Sequence, residues 1–182
     1  MKDQITPKAY NAEAMKALWQ CADDIAVVLR SHFIIEQAAL VKVEEIVPDL
    51  NRVMERPKLS HAISILRYFE VPEHFWRPLK ELDKIRHKFA HEGIDVIGRS
   101  EVDSLLNAVR PEFRSRFGDG SIAIVKGGQE EHYSFDQAPV RELFSMIVST
   151  LLVEVIALSC VIEISHSPFS TRRKISWTGI EM

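Results

Sequence analysis

The chain has 182 residues, of which 46% are apolar and 27% charged, a composition typical of one globular domain and not of a disordered protein. Lys and Arg number 23 and Asp and Glu 26, so the net charge of -3 argues against a protein that coats nucleic acid but leaves room for a local basic site. With only 7 Gly and 8 Pro, the composition disfavours an all-β chain with many tight turns.

The two cysteines, Cys21 and Cys160, lie far apart and belong to no C-x-x-C motif or Cys/His ligand cluster. Their placement disfavours a disulfide framework and a zinc finger, and it predicts reduced thiols in a cytoplasmic protein. The first residues contain no continuous apolar segment, which disfavours a secretory signal.

Apolar residues at steps of three and four predict five main helices within a single domain spanning 1–182. Proline, glycine and capping residues predict the helix ends. The first helix runs from Asn11 to Pro48 with room for one break; the others cover 59–69, Pro72 to Gly93, Ser100 to Pro111, and about 138–165. The motif-bearing core covers about 11–115, and a short tail covers 166–182.

Between the fourth and fifth helices, about 121–135, two short runs flank Gly127-Gly128, which predicts a small hairpin. A surface flap and a substrate-contacting lid are both compatible with this pattern. The predicted fold class is therefore all-α, a helical bundle with a small β-hairpin insertion.

The segment Leu143 to Ile162 tests whether the chain enters a membrane, because fifteen of its twenty residues are apolar. Glu154 lies near its middle, and a charge at the centre of a membrane span costs roughly 2.5–3.5 kcal/mol. We therefore predict a single buried helix and no membrane span.

Two charged residues occupy helix positions where the pattern predicts an apolar side chain. On an ideal helix Arg86 lies only about 20° from Phe75, in the middle of an apolar face. Glu36 fills the gap between Phe33 and Leu40 in the first helix. We predict that Glu36 meets Arg86, either directly or through His32, in a functional site or in an ion pair that only fixes the helix register.

A basic cluster surrounds Arg86 near the end of the third helix. His87 and His91 are four residues apart on one helix face, and Lys84 and Lys88 add positive charge nearby. Three interpretations remain open for the histidines: surface residues, ligands of a shared metal ion, or an acid/base site in which His91 moves a proton and Arg86 binds phosphate. Because Arg86 and His91 lie about 140° apart, the last needs an unwound helix end near Gly93 or a second subunit.

The stretch Ile85-Arg86-His87-Lys88-Phe89-Ala90-His91 resembles the signature of the HEPN superfamily, in which an Arg and a polar residue precede a His. The order of helices over roughly 25–95 resembles the branch near the mannitol-operon repressor-like proteins. There a helix like His32 to Leu40 and a shorter helix like 59–69 precede the motif helix. The chain differs from the commonest form, with His87 where Asn is frequent and no Tyr two residues after His91.

The resemblance implies a homodimeric helical bundle whose two motifs face each other across a cleft. In active members it implies metal-independent RNA cleavage by the ribose 2′-hydroxyl, with no cofactor. Carried over, it gives His91 as the proton shuttle, Arg86 as the phosphate clamp and His87 as an assisting residue. The positive charges of Lys84 and Lys88 beside the motif make them the candidate RNA-binding residues.

Two functions follow as hypotheses. The first is a ribonuclease of the toxin or defence type, with RNA as substrate and an antitoxin or regulatory protein as a further partner. The alternative is a non-catalytic helical module that binds a protein or acts as a regulator, resembling the mannitol-operon repressor-like proteins. The net charge and a structural role for Arg86 both favour it.

Overall fold

The structure, a computed structural model, describes residues 12–48, 50–109, 121–126, 129–164 and 173–178. The fold is all-α, a helical bundle with a small hairpin insertion, as the sequence predicts. The helices are α1 (Ala12–Trp19), α2 (Asp24–Ile46), α3 (Leu50–Val53), α4 (Leu59–Tyr68), α5 (Glu73–His91), α6 (Arg99–Ala108) and α7 (Val140–Ala157). The strands are β1 (Ser121–Lys126), β2 (Gln129–Ser134), β3 (Ser159–Ile164) and β4 (Arg173–Thr178).

The first predicted helix is broken once, between Trp19 and Asp24, and so forms α1 and α2. Asp23 starts the second piece, because its carboxylate accepts the backbone N–H of Ala26 at 2.7 Å and satisfies one free donor of the first turn. Asn11, the predicted cap of the first piece, lies outside the described residues.

Helix α2 is the centre of the bundle and packs against α1, α4, α5 and α7. Its inward residues Val28, Ile35, Ala38 and Val43 have no exposed surface. The facing side of α7 is equally dry, with Phe144, Ile147 and Val148 fully buried among a larger group of apolar side chains. This apolar contact is the core on which the remaining helices are arranged.

The turns around α5 follow the sequence closely. Pro72 is the N-cap of α5 rather than its first residue, and Gly93 follows its end with a φ of 71°, a left-handed conformation that favours glycine. Helix α6 begins at Arg99, so Ser100, the predicted N-cap, lies inside the helix and that prediction is wrong by two residues. Its N-cap is Gly98, where a Cβ atom would lie 2.6 Å from the Glu101 carboxylate.

The predicted hairpin is confirmed. Strands β1 and β2 pair antiparallel, with Ser121 opposite Ser134 and Lys126 opposite Gln129. Ile122 anchors the hairpin to the bundle with only 9% of its surface exposed. A cavity of about 350 Å³ lies beside β1, lined by Trp19, Ile122, Ala123, Ile124, Val125, Glu142 and Met146.

The prediction of one helix reaching about residue 165 is wrong, because α7 ends at Ala157 and the chain continues as strand β3. Strand β4, which lies in the segment predicted as a tail, pairs with β3 antiparallel, with Ser159 opposite Thr178. The β3 segment is rich in β-branched residues, and a short apolar run does not by itself distinguish a strand from a buried helix. Within the described residues, no helix is long and apolar enough to span a membrane.

A polar junction ties the start of α2 to two distant parts of the chain. The carboxylate of Asp24, only 8% exposed, accepts the backbone N–H of Ile97 at 2.8 Å and also pairs with the Arg141 guanidinium on α7. Arg141 donates a further hydrogen bond to the carbonyl of Ala22 at 3.2 Å. The junction therefore fixes α2, α7 and the segment before α6 at one end of the bundle.

We expect Asp24→Ala to lower the free energy of unfolding by about 2 kcal/mol, because it leaves the buried Ile97 N–H without an acceptor and Arg141 without its carboxylate partner. Urea denaturation at neutral pH measures the difference. Asp103→Ala, which removes an exposed surface ion pair with Arg99, is the control and should cost less than about 0.5 kcal/mol. Equal losses in the two variants would contradict the role of the junction.

Candidate functional site

Helix α5 positions the basic cluster, and two polar contacts fix how it lies on α2. His32 Nε2, in the middle of α2, lies 3.0 Å from Asp83 Oδ1 in the middle of α5. Asp24 at the start of α2 bonds to Ile97, beyond the end of α5. The two helices are therefore antiparallel.

Arg86 pairs with Asp83 rather than with the predicted Glu36. Its Nη2 donates to Asp83 Oδ1 at 3.4 Å, so His32 and Arg86 share one carboxylate oxygen. Both members of this pair are partly exposed, at 31% for Arg86 and 30% for Asp83. The buried Nε of Arg86 has no hydrogen-bond partner among the described residues, so only part of the donor capacity of the guanidinium is used.

The predicted Glu36–Arg86 pair is wrong, whether direct or through His32. Glu36 Oε2 instead accepts the backbone N–H of Leu59 at 2.8 Å, at the start of α4. Lys58, the residue before α4, offers no side-chain acceptor for that N–H, so Glu36 supplies it from another helix. The sequence could have indicated Asp83, which stands three residues before Arg86 on the same helix.

His87 and His91 form an exposed pair at the end of α5, as their spacing predicts. Their ring centroids are 4.4 Å apart and the rings are tilted by 48°. Both residues are exposed. No group of three or more His, Cys, Asp or Glu side chains suited to a metal ion occurs among the described residues.

Arg86 and His91 do not converge within one chain. Helix α5 is regular through His91, and its cap Glu92 still donates a helical hydrogen bond to Lys88 at 2.8 Å. The unwinding near Gly93 that could turn the two side chains together is therefore not present. No hydrogen bond or ion pair joins Arg86 to His91 in the part of the chain that the structure describes. A site that contains both Arg86 and His91 therefore needs a second copy of the chain.

The two lysines predicted to contact RNA are engaged with carboxylates. Lys84 Nζ lies 2.7 Å from Glu81 Oε1, and its side chain stays 56% exposed. Lys88 Nζ donates to Glu101 Oε1 at 2.9 Å and so connects α5 to α6. Lys84 remains available at the surface, whereas Lys88 is a link between helices.

The link between Lys88 and Glu101 changes the acid strength of both groups. The hydrogen bond and the charge of Glu101 raise the pKa of Lys88. Burial by itself would raise the pKa of Glu101, but the hydrogen bonds from Lys88 and Ser100 hold that pKa below its usual value. In the folded protein Glu101 is therefore ionised and its partner is protonated at neutral pH.

Comparison with models of protein families, with curated proteins and with solved structures finds no match for this chain.

We expect Lys88→Met to lower the free energy of unfolding by about 1 kcal/mol at pH 7, because Glu101 loses the partner that offsets its burial. A lowered folded pKa gives a stability contribution that is present above the unfolded pKa and is lost as the pH falls through the folded pKa. Without Lys88 the pKa of Glu101 loses two of the contributions that lower it and is higher than in wild type, so acid removes the stability that only the wild type gains from the pair. The difference between variant and wild type should therefore shrink at about pH 4.

Urea denaturation at the two pH values measures this difference. Lys84→Met removes a lysine whose ion pair lies within one helix turn, and it is the matched control. It should cost less than about 0.5 kcal/mol at both pH values. A deficit in Lys88→Met that does not change with pH would show that the buried carboxylate is not its cause.

Proposed function

We propose that the chain is the subunit of a metal-independent ribonuclease of the HEPN type, in which Arg86 binds the phosphate and His91 moves the proton. The observation that carries the proposal is that α5 presents a guanidinium and two imidazoles at separate positions. Asp83 holds Arg86, which is 31% exposed and keeps guanidinium donors without a partner among the described residues, while His87 and His91 remain exposed at the helix end. Imidazoles titrate near neutral pH and a guanidinium stabilises negative charge, which is the pair of properties that RNA cleavage needs.

In the proposed reaction His91 accepts the proton of a ribose 2′-hydroxyl, and the 2′-oxygen attacks the adjacent phosphorus. The bond from phosphorus to the 5′-oxygen breaks, and that oxygen takes a proton from the imidazolium. The products are a 2′,3′-cyclic phosphate and a free 5′-hydroxyl. Arg86 neutralises the phosphate oxygens as their charge develops, and His87 orients His91 through the ring contact.

A second copy of the chain is part of the proposal, because Arg86 and His91 of one chain do not converge. Helix α2 exposes an apolar stripe, Ile25, Leu29 and Phe33, with 40%, 44% and 60% of their surfaces exposed. Because α2 and α5 are antiparallel and His32 contacts Asp83, positions that lie equally far before His32 and after Asp83 are neighbours. Leu29 lies three residues before His32 and Arg86 three residues after Asp83, so the α2 stripe lies beside α5 near Arg86. A partner chain packed on the α2 stripe would therefore lie next to Arg86 and could bring its own α5 into the site.

The isolated cysteines Cys21 and Cys160 favour a cytoplasmic location, and the toxin hypothesis adds a protein antitoxin as partner. The second candidate function is a non-catalytic module that binds a protein. The same α2 stripe favours it, because an exposed apolar stripe on an otherwise buried helix is typical of an interaction surface.

We expect His91→Ala to abolish RNA cleavage while changing the free energy of unfolding by less than about 0.5 kcal/mol, because the side chain is exposed and lies opposite the buried face of α5. The measurement is cleavage of a mixed RNA panel in EDTA, beside urea denaturation of the same protein. His132→Ala, which removes an exposed histidine from β2, is the matched control and should cut RNA like wild type.

A His91→Ala protein that still cuts RNA at the wild-type rate would refute the proton-transfer role. If wild type cuts none of the RNAs, the protein-binding function becomes the better account of the same surface.

We expect the chain to be a dimer at micromolar concentration and Phe33→Glu to make it a monomer, because a charge would be buried in the apolar contact. Light scattering measures the mass of both proteins. Val125→Glu introduces the same charge at an exposed apolar residue of β1 and should leave the dimer intact. A monomeric wild type would remove the composite site and, with it, this route to cleavage.

A further inference from the structure

The outer face of α5 carries a row of basic side chains that extends well beyond the histidine pair. Five residues, which we name the α5 stripe, are all exposed: Arg77, Lys80, Lys84, His87 and His91. At 100° per residue they fall within an arc of about 80°, directed away from the buried face of the helix. Arg77 and His91, its ends, are about 21 Å apart along the helix axis.

Acidic side chains are absent from this arc between Trp76 and His91. Glu81 and Asp83 lie to its two sides, and each is already paired, Glu81 with Lys84 and Asp83 with His32 and Arg86. The nearest acid in the same direction is Glu73, in the first turn of the helix. A solvated helix face usually mixes both signs of charge, so a row of one sign in a chain of net charge -3 indicates a site for a polyanion.

Aromatic and guanidinium side chains follow the Arg77 end of the stripe toward α4. The Arg67 guanidinium lies over the Trp76 ring, 5.0 Å from its centroid. Next to it in sequence, Tyr68 at the end of α4 has 82% of its surface exposed, and its ring meets Phe69 edge-on. Tyr68 is therefore the sequence neighbour of a guanidinium that packs on Trp76, the residue before Arg77. An exposed aromatic ring together with cations is the combination on which unpaired bases stack.

We propose that the α5 stripe and Tyr68 bind a single-stranded segment of RNA, with the phosphates along the stripe and a base stacked on Tyr68. The site rests on the proposed ribonuclease and names its substrate class as unpaired RNA. At 3.4 Å per stacked nucleotide, the stripe spans about six nucleotides, from the bond cut at His91 toward the stacked base. Double-stranded RNA would not bind in this way, because its paired bases cannot stack on Tyr68.

The test measures binding separately from cleavage. The probe is a fluorescein-labelled 2′-O-methyl RNA of about 12 nucleotides, long enough to cover the stripe, and its blocked 2′-oxygens prevent cleavage. Fluorescence anisotropy over a series of salt concentrations gives the affinity and its salt dependence. The double variant Arg77→Ala/Lys80→Ala removes two cations of the stripe that have no ion pair among the described residues. Lys16→Ala/Arg30→Ala removes two exposed cations elsewhere and is the matched control.

We expect the stripe variant to bind the probe about tenfold more weakly and to lower the slope of log affinity against log salt by about 1.4, the value for two phosphate contacts in a single strand. The control should bind like wild type. Tyr68→Ala should weaken binding about tenfold, whereas Tyr68→Phe, which keeps the ring, should not.

Three results would overturn the site: no binding by wild type, equal losses in the two double variants, or equal competition by a poly-glutamate peptide. Stripe-dependent binding without cleavage of ordinary RNA would support the site and refute the proposed ribonuclease. Cleavage and binding that are unchanged by the stripe and Tyr68 variants would overturn the site and leave the ribonuclease standing.

Discussion

The antiparallel packing of α5 on α2 is the constraint on which the candidate site depends. The contact of His32 with Asp83 fixes the middle of the two helices, and the contact of Asp24 with Ile97 fixes one end. Both are polar contacts to buried residues, so a slide or rotation of α5 would leave a buried group without a partner. The register that results sends the apolar residues of α5 inward, leaves Arg86 at the edge and turns both histidines outward.

The sequence predicts most of the helices because their apolar periodicity is strong. The ends of α4 and α5 and the β1–β2 hairpin lie within a residue or two of their predicted positions, since proline, glycine and the apolar spacing act locally there. The apolar spacing does not predict where α7 ends. Its segment is apolar on all sides, so the pattern does not show where a helix becomes a strand.

The error at Glu36 has a specific physical cause. The spacing of Phe33, Glu36 and Leu40 predicts one buried apolar face, whereas Phe33 is 60% exposed. The free N–H at the start of α4 then decides what Glu36 does, and that need is invisible until the helices are placed together. The outward direction of His87 and His91 was predictable because it depends only on residues within α5.

The net charge of the chain is a poor guide to what the surface of α5 attracts. Several acids of this protein are used in structural pairs, such as Asp24 with Arg141 and Glu101 with Lys88, and each such pair contributes little field at a distance. Interactions between exposed charges are screened over about 8 Å at physiological ionic strength, so acids elsewhere on the bundle barely reach the outer face of α5. A polyanion at that face therefore meets the nearby cations Arg77, Lys80 and Lys84, and an acidic protein can still present a basic site.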